Sequence, residues 1–187
     1  MSRSHGVPVP ISTEATGRLL ARVARTSTCW IWMGAVSSPD GYGRFYLRDG
    51  ERSRAVTPQR YLYEQQSGPL ARSATLMHQC EVRICCRVDQ AHVIAGTQTR
   101  NMQDAAWRGR ARGSRPGLVD VRGPVGQARA IQHAMRASAD SSSSALALIL
   151  ADVIAAGDPL RNNLALFDPL GPDMAAAGRD VFGDPVQ

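Results

Sequence analysis

Apolar positions along the chain change spacing several times, and each change marks an expected element. Leu19, Leu20 and Val23 form a stripe behind Ser12 or Thr13, either of which can cap, and predict a helix over 12–25. Arg18, Arg22 and Arg25 then share another face of that helix, either solvated or turned toward phosphate. Residues 29–33 (Cys-Trp-Ile-Trp-Met) favour a strand, and 42–47 with 51–57 form a hairpin signal around Asp49-Gly50. A three-residue loop, Arg48-Asp49-Gly50, is the favoured register. It sets Arg44, Tyr46, Arg52 and Arg54 on one side and Phe45 and Leu47 on the other, whereas a two-residue Asp49-Gly50 loop mixes them.

A short helix opens at Pro58 and runs to 66, ahead of Gly68-Pro69. Leu76-Met77-His78 and Val93-Ile94-Ala95 read as short strands around a cysteine-rich loop. Thr97 then caps a helix from about Gln98 to Arg108, stopped at Gly109. Residues 108–117 are a basic Gly/Arg stretch, a tether or a DNA-tracking arm. Helices over 127–138 and 145–156 follow, with apolar positions suited to helix-on-helix packing, on the core or on a second copy of the chain. The chain from Pro169 onward reads as a loose tail.

Charge changes the picture more than composition does. Of the 187 residues 43% are hydrophobic, which excludes a wholly disordered chain, and the apolar runs are too short to span a bilayer. No apolar core of a secretory signal follows Met1, so an intracellular, cytoplasmic protein of bacterial or phage-like setting, without a membrane partner, is expected. The net charge of +6 is unevenly spread: residues 1–112 carry 16 Arg against 8 acids, residues 113–187 carry 6 against 8, and no Lys occurs. An arginine-rich half suits a polyanion, most simply double-stranded DNA. The hairpin face of Arg44, Tyr46, Arg52 and Arg54, with Arg108 and Arg110 of the basic stretch, is the candidate DNA contact.

Three of the four cysteines, Cys80, Cys85 and Cys86, fall within seven residues, closer than a disulfide framework usually places them. Cys80, Cys85 and His92 supply three ligands of a tetrahedral zinc site and Cys29 the fourth, a closed and therefore structural set. Free buried thiols are the alternative. His78 is left over beside Cys80. It is either a structural histidine or a general base facing a helix that carries Asn101.

Cys-Trp-Ile-Trp at 29–32, Gly-Tyr-Gly-Arg-Phe at 41–45, His-x-Cys-x4-Cys at 78–85, His92, Gly-Thr at 96–97 and Asn101 stand in an order that resembles the HNH nucleases, in particular their His-Cys-box homing endonuclease branch. The resemblance covers about Cys29 to Arg110. It implies an α+β fold with a zinc-stabilised ββα-metal core, here preceded by a β-hairpin and followed by a C-terminal helical extension. It further implies His78 as general base, Asn101 as ligand of a catalytic divalent ion, usually Mg2+, and Arg44 as phosphate contact. Two departures stand out. The spacing to His92 is two residues longer than the family's counted from Cys85 and one longer from Cys86, so either cysteine can be the ligand, with the x4 spacing favouring Cys85. Gln59 replaces a histidine often found before the family's Arg, here Arg60.

The expected layout is an arginine-rich nuclease domain over 1–112, a linker over 113–126, a helical extension over 127–168 that could dimerise the protein, and a tail over 169–187. The expected activity is metal-dependent, site-specific hydrolysis of double-stranded DNA, of restriction or homing type. The rival is a zinc-stabilised DNA-binding protein without catalysis.

Overall fold

The computed structural model describes residues 8–49, 52–108 and 120–159. The side chains of Asp49 and Arg52, and all of Arg110, lie outside the described part, as do the tail and most of the basic linker. The fold is α+β, with three two-stranded antiparallel sheets among the described residues.

Helix α1 (Thr13–Leu20) opens on Ser12, whose side chain accepts from the Ala15 amide. It stops five residues short of the expected helix. From Val23 the chain instead forms β1 (Val23–Arg25), which pairs with β2 (Trp30–Trp32), Val23 opposite Trp32. A β-branched valine suits the sheet, and the Met33 amide closes the ladder on the Arg22 carbonyl at 2.8 Å. The supposed shared face of Arg18, Arg22 and Arg25 is therefore dissolved. Arg18 covers the Phe45 ring and Arg25 the Trp30 ring, at 5.4 and 4.7 Å from the ring centroids.

Strands β3 (Phe45–Asp49) and β4 (Arg52–Val56) form the expected hairpin in neither of the two registers considered. Asp49 pairs with Arg52 and Leu47 with Arg54, a register shifted from both expectations. Arg54 thus shares a face with Phe45, Leu47 and Val56, all buried. Its guanidinium escapes the apolar surface by donating to the Pro8 carbonyl at 2.8 Å. A long aliphatic stem makes this tolerable, because only the charged end needs a polar partner. Tyr46 and Arg48 stand on the opposite, exposed face, so the predicted grouping of Tyr46 with Arg52 and Arg54 is corrected.

Helix α2 (Pro58–Ser67) packs Tyr61 edge-on to Phe45, which meets Trp32 in the same way, at centroid separations of 5.4 and 5.9 Å. Strands β5 (Ala74–His78) and β6 (Val93–Thr97) pair with His78 opposite Val93. Gly96 leaves room for the Met77 side chain to cross β6, which a Cβ would block. Helix α3 (Gln98–Trp107) follows directly, capped by the Thr97 hydroxyl accepting from the Arg100 amide at 3.2 Å, and lies against both strands.

The last two helices, α4 (Gly123–Ala137) and α5 (Ser143–Ala156), pack on each other and on the rest of the molecule. Helix α4 begins inside the segment expected to be linker. Ala128, Ile131, Met135, Leu146 and Leu150 belong to the same buried cluster as Leu19, Trp32 and Phe45. Buried Gln132 donates from Nε2 to the carbonyls of Trp32 and Gly34, both at 2.8 Å. Their apolar stripes thus pack on the core of the same chain.

Candidate metal centre and adjacent histidine

Cys29, Cys80 and Cys85 come from three separate parts of the chain, and backbone pairing brings them together. Ahead of Cys29, buried Thr26 organises the β1–β2 turn: its hydroxyl donates to the Cys29 carbonyl at 2.9 Å and accepts from the Cys29 amide at 2.8 Å. The opposite edge of β2 meets the cysteine loop. Ile31 faces Cys85, with the Trp32 amide on the Ile84 carbonyl and the Cys86 amide on the Trp30 carbonyl, both 2.8 Å. Val82 and Ile84 anchor that loop in the core. Glu81, directly after Cys80, takes the left-handed conformation (φ 64°) that turns the chain back on itself.

The three Sγ atoms lie within 4.8 Å of one another, and Cys29 and Cys85 are buried. Three sulfur donors at this spacing fit a soft ion of zinc type, whose bonds of about 2.3 Å would draw the sulfurs closer still. As thiols they share hydrogen bonds. Those from Cys29 and Cys85 push Cys80 well below the ordinary thiol range, while bonding to Cys80, burial and its charge leave Cys29 raised. Cys85 is raised too, the contacts with Cys80 and burial outweighing the lowering contact with Cys29.

Of Cys85 and Cys86, Cys85 is the one whose sulfur lies in the close group. Cys86 Sγ turns the other way and donates to the Trp30 carbonyl at 3.3 Å, and burial raises its pKa. His92 is not among the three residues of the close group. Its Nδ1 is instead bonded to Asp89 Oδ1 at 2.6 Å, within the longer loop between Cys85 and His92. Asp89 Oδ2 accepts from Arg87 Nε at 2.6 Å, and Arg87 Nη1 reaches the Thr28 carbonyl at 2.5 Å. This chain of bonds ties the His92 loop to the turn that presents Cys29. Neither Asp89 nor Arg87 stood out in the sequence; an acid three residues before a candidate histidine ligand was the available signal.

His78 ends β5 one side chain from the cluster. Its Nε2 lies 2.9 Å from the Cys85 carbonyl oxygen. A carbonyl only accepts, so Nε2 carries the proton and Nδ1 of the neutral ring keeps the lone pair. Burial is the largest influence on this imidazole and lowers its pKa, favouring that neutral form. The Tyr42 ring packs on His78 with centroids 5.7 Å apart and planes tilted by 34°. Gly41 threads this segment past α4: at φ 72°, a Cβ there would sit 2.5 Å from the Pro124 carbonyl oxygen.

The other expected site residues have mixed fates. Asn101 sits on α3, half-buried, and its amide makes no hydrogen bond among the described residues. Arg44 gives its Nη2 to Asp40 Oδ2 at 2.8 Å. Burial raises Asp40, but hydrogen bonds from Ser37, the Tyr42 amide and Arg44 outweigh it and hold the carboxyl below its usual range. Arg108 is engaged by the protein itself, donating to the Gln79 carbonyl (2.9 Å), Glu81 Oε1 (3.0 Å) and Gln79 Oε1 (2.8 Å). It clips the end of α3 to the start of the cysteine loop.

The chain is similar to Protein 7.7 of Escherichia phage T7, with 34% identity over 82 residues, 44% of this chain and 58% of that relative. It therefore spans less than two thirds of the relative's length. No family model matches, and no solved structure matches. Among the described residues no helix is long and apolar enough to cross a membrane.

Proposed function

We propose that this protein is a metal-dependent endonuclease of HNH type that hydrolyses phosphodiester bonds of double-stranded DNA. The observation that carries the proposal is the bond from His78 Nε2 to the Cys85 carbonyl. One residue then supplies a sulfur to the metal cluster and fixes the tautomer of the neighbouring histidine. A neutral imidazole with its free nitrogen defined is what a general base for water activation needs. The strand–strand–helix unit of β5, β6 and α3, spanned by the cysteine loop, agrees with a ββα-metal core. Similarity to a phage protein fits the bacterial or phage setting expected from the sequence.

In this reading zinc is held by Cys29, Cys80 and Cys85, with His92 Nε2 as the fourth donor and Asp89 orienting its ring. Such a site is structural: it fixes the loop whose carbonyl holds His78. Asn101, an oxygen donor with no hydrogen-bond partner among the described residues, would hold a catalytic Mg2+ together with phosphate oxygens. Such an ion, when bound, would supply positive charge to offset that developing on the leaving 3′ oxygen. His78 would take a proton at Nδ1 from the attacking water, whose oxygen bonds to phosphorus as the bond to the 3′ oxygen breaks; the departing 3′ oxygen takes a proton from solvent, leaving 5′-phosphate and 3′-hydroxyl ends. Arginines supply phosphate contacts, and two copies of the chain would address the two strands.

The test is cleavage of a supercoiled plasmid with Mg2+, with EDTA and with the His78→Ala protein. Mg2+-dependent nicking or linearisation, lost in His78→Ala, is the expected result. DNA binding without cutting under any divalent ion refutes the proposal in favour of a zinc-stabilised DNA-binding module.

A further inference from the structure

Two arginines flank the Tyr42–His78 stack, and Asp40 touches both. Arg44 meets the Asp40 carboxylate at 2.8 Å, an ion pair that neutralises it. Arg83 donates from Nη1 to the Asp40 backbone carbonyl at 3.1 Å, which positions it without cancelling its charge. The Arg83 guanidinium lies over the Tyr42 ring, 5.4 Å from the centroid, while the same ring packs on His78. Arg83 and His78 therefore both meet the one tyrosine ring. Position 83 alternates with buried Val82 and Ile84, which pin the backbone on either side and leave the arginine half-buried at the rim.

Arg83 makes no ion pair among the described residues, and its one hydrogen bond there is the bond to Asp40. An aromatic ring covers one face of the guanidinium, and most of its N–H edge is unengaged. Such an edge suits the non-bridging oxygens of a phosphate, which a fork of N–H groups binds through two oxygens at once. We propose that Arg83 is a phosphate-binding residue of the site, holding the DNA backbone beside His78, with Asp40 and Tyr42 as the residues that position it. This rests on the nuclease reading for its catalytic consequence but not for the phosphate contact itself. The arrangement also divides labour between the arginines: Arg44, paired with Asp40, braces the loop, and Arg83 brings the uncompensated charge.

The experiment uses the full chain, the Arg83→Ala and Arg83→Lys variants, and two readouts. In single-turnover plasmid cleavage with Mg2+, Arg83→Ala should lose about 100-fold or more, the usual effect of deleting one donor aimed at developing charge. Arg83→Lys should recover part of that rate, since it keeps the charge and loses the fork. In the His78→Ala background, DNA binding is measured against salt. Arg83→Ala should lower the slope of log affinity on log salt by about one, as loss of one phosphate contact does, and Arg83→Lys should keep it. The lysine variant carries the test should the alanine variant unfold. Cleavage within about threefold of the wild type together with an unchanged salt slope overturns the proposal. So does a lysine variant as slow as the alanine one with both salt slopes unaltered, which would mark a purely structural arginine. A wild type that never cuts but still shows the lowered slope in Arg83→Ala refutes the nuclease reading alone and leaves the phosphate contact standing.

Discussion

Gln132→Met tests whether the C-terminal helices are part of the fold that holds the metal centre. The substitution keeps the length and volume of the side chain, so it opens little cavity. It removes two hydrogen bonds of 2.8 Å from Nε2 to the Trp32 and Gly34 carbonyls, deep in the interface between α4 and the end of β2. A buried acceptor left without its donor costs about 1–3 kcal/mol, so the pair is worth roughly 2–5 kcal/mol, with water entry reducing the upper end. For a chain of this size each kcal/mol moves the thermal midpoint by about 2–4 °C, which predicts a fall of roughly 5–15 °C. Urea denaturation followed by circular dichroism gives the free energy directly. Arg136→Ala is the control: its bond to the Met33 carbonyl is exposed, and its loss should cost under about 1 kcal/mol. Because Trp32 belongs to the strand that also meets Ile84 and follows Cys29, Gln132→Met should weaken zinc binding as well. A loss below about 0.5 kcal/mol would refute the claim that α4 is integral to the core.

Further outcomes follow from the site itself. Cys80→Ser should abolish tight zinc binding in a chelator-competition titration, while Cys86→Ala, whose sulfur points to the Trp30 carbonyl, should leave it within a few-fold of the wild type; equal losses would contradict the assignment of Cys85. Asp89→Asn should weaken zinc by about 10–100-fold, and by nothing further in a His92→Ala background, if His92 is the fourth donor; an unchanged affinity removes His92 from the site. Stability should also fall in acid through Asp120. Burial raises this carboxyl, but the side chain and amide of Arg122 outweigh burial and set it below 3.8. Its contribution is therefore complete above the ordinary carboxylate value and lost as the pH falls through the lower folded value. Asp120→Asn should be less stable than the wild type at about pH 7 and converge with it at about pH 2; a constant difference across that range would contradict this account.

How much of this was legible in the sequence depends on how local the signal was. Thr97 followed by an apolar–polar helical pattern marked α3 nearly to the residue, and Pro58 did the same for α2, because caps and proline act on their immediate neighbours. The x4 spacing pointed correctly to Cys80 and Cys85. Pairing partners were harder. Val23 fits a helical stripe as well as a strand, and only the presence of Trp30–Trp32 across the turn decides between them. The hairpin register failed for a related reason. Segregating charge from apolar residues assumed that Arg54 had no partner on the core side, whereas the Pro8 carbonyl, 46 residues away, supplies one. Tertiary contacts of that kind leave no mark on local pattern. The same holds for the bonds of Arg108 to Gln79 and Glu81, 29 and 27 residues away.

Cys85 shows why the site is built from such distant pieces. Its side chain reaches toward Cys29 and Cys80, and its carbonyl faces His78, so sulfur and oxygen leave one residue in two directions. Holding both at once requires a backbone that cannot swivel. The pairing of Ile31 with Cys85, flanked by amide bonds from Trp32 and Cys86, provides that constraint from β2. Strand β2 is in turn packed through Trp32 against Phe45 and bonded through Trp32 and Gly34 to Gln132. Rigidity at the histidine therefore originates in the aromatic core and the C-terminal helices. A metal bound by the three sulfurs would add a tether where Cys85 of the cysteine loop meets that scaffold. Metal binding and orientation of His78 are then two consequences of a single constraint, which is why the zinc-binding effect of a distant change such as Gln132→Met is the sharper probe of this arrangement than any substitution of the ligands.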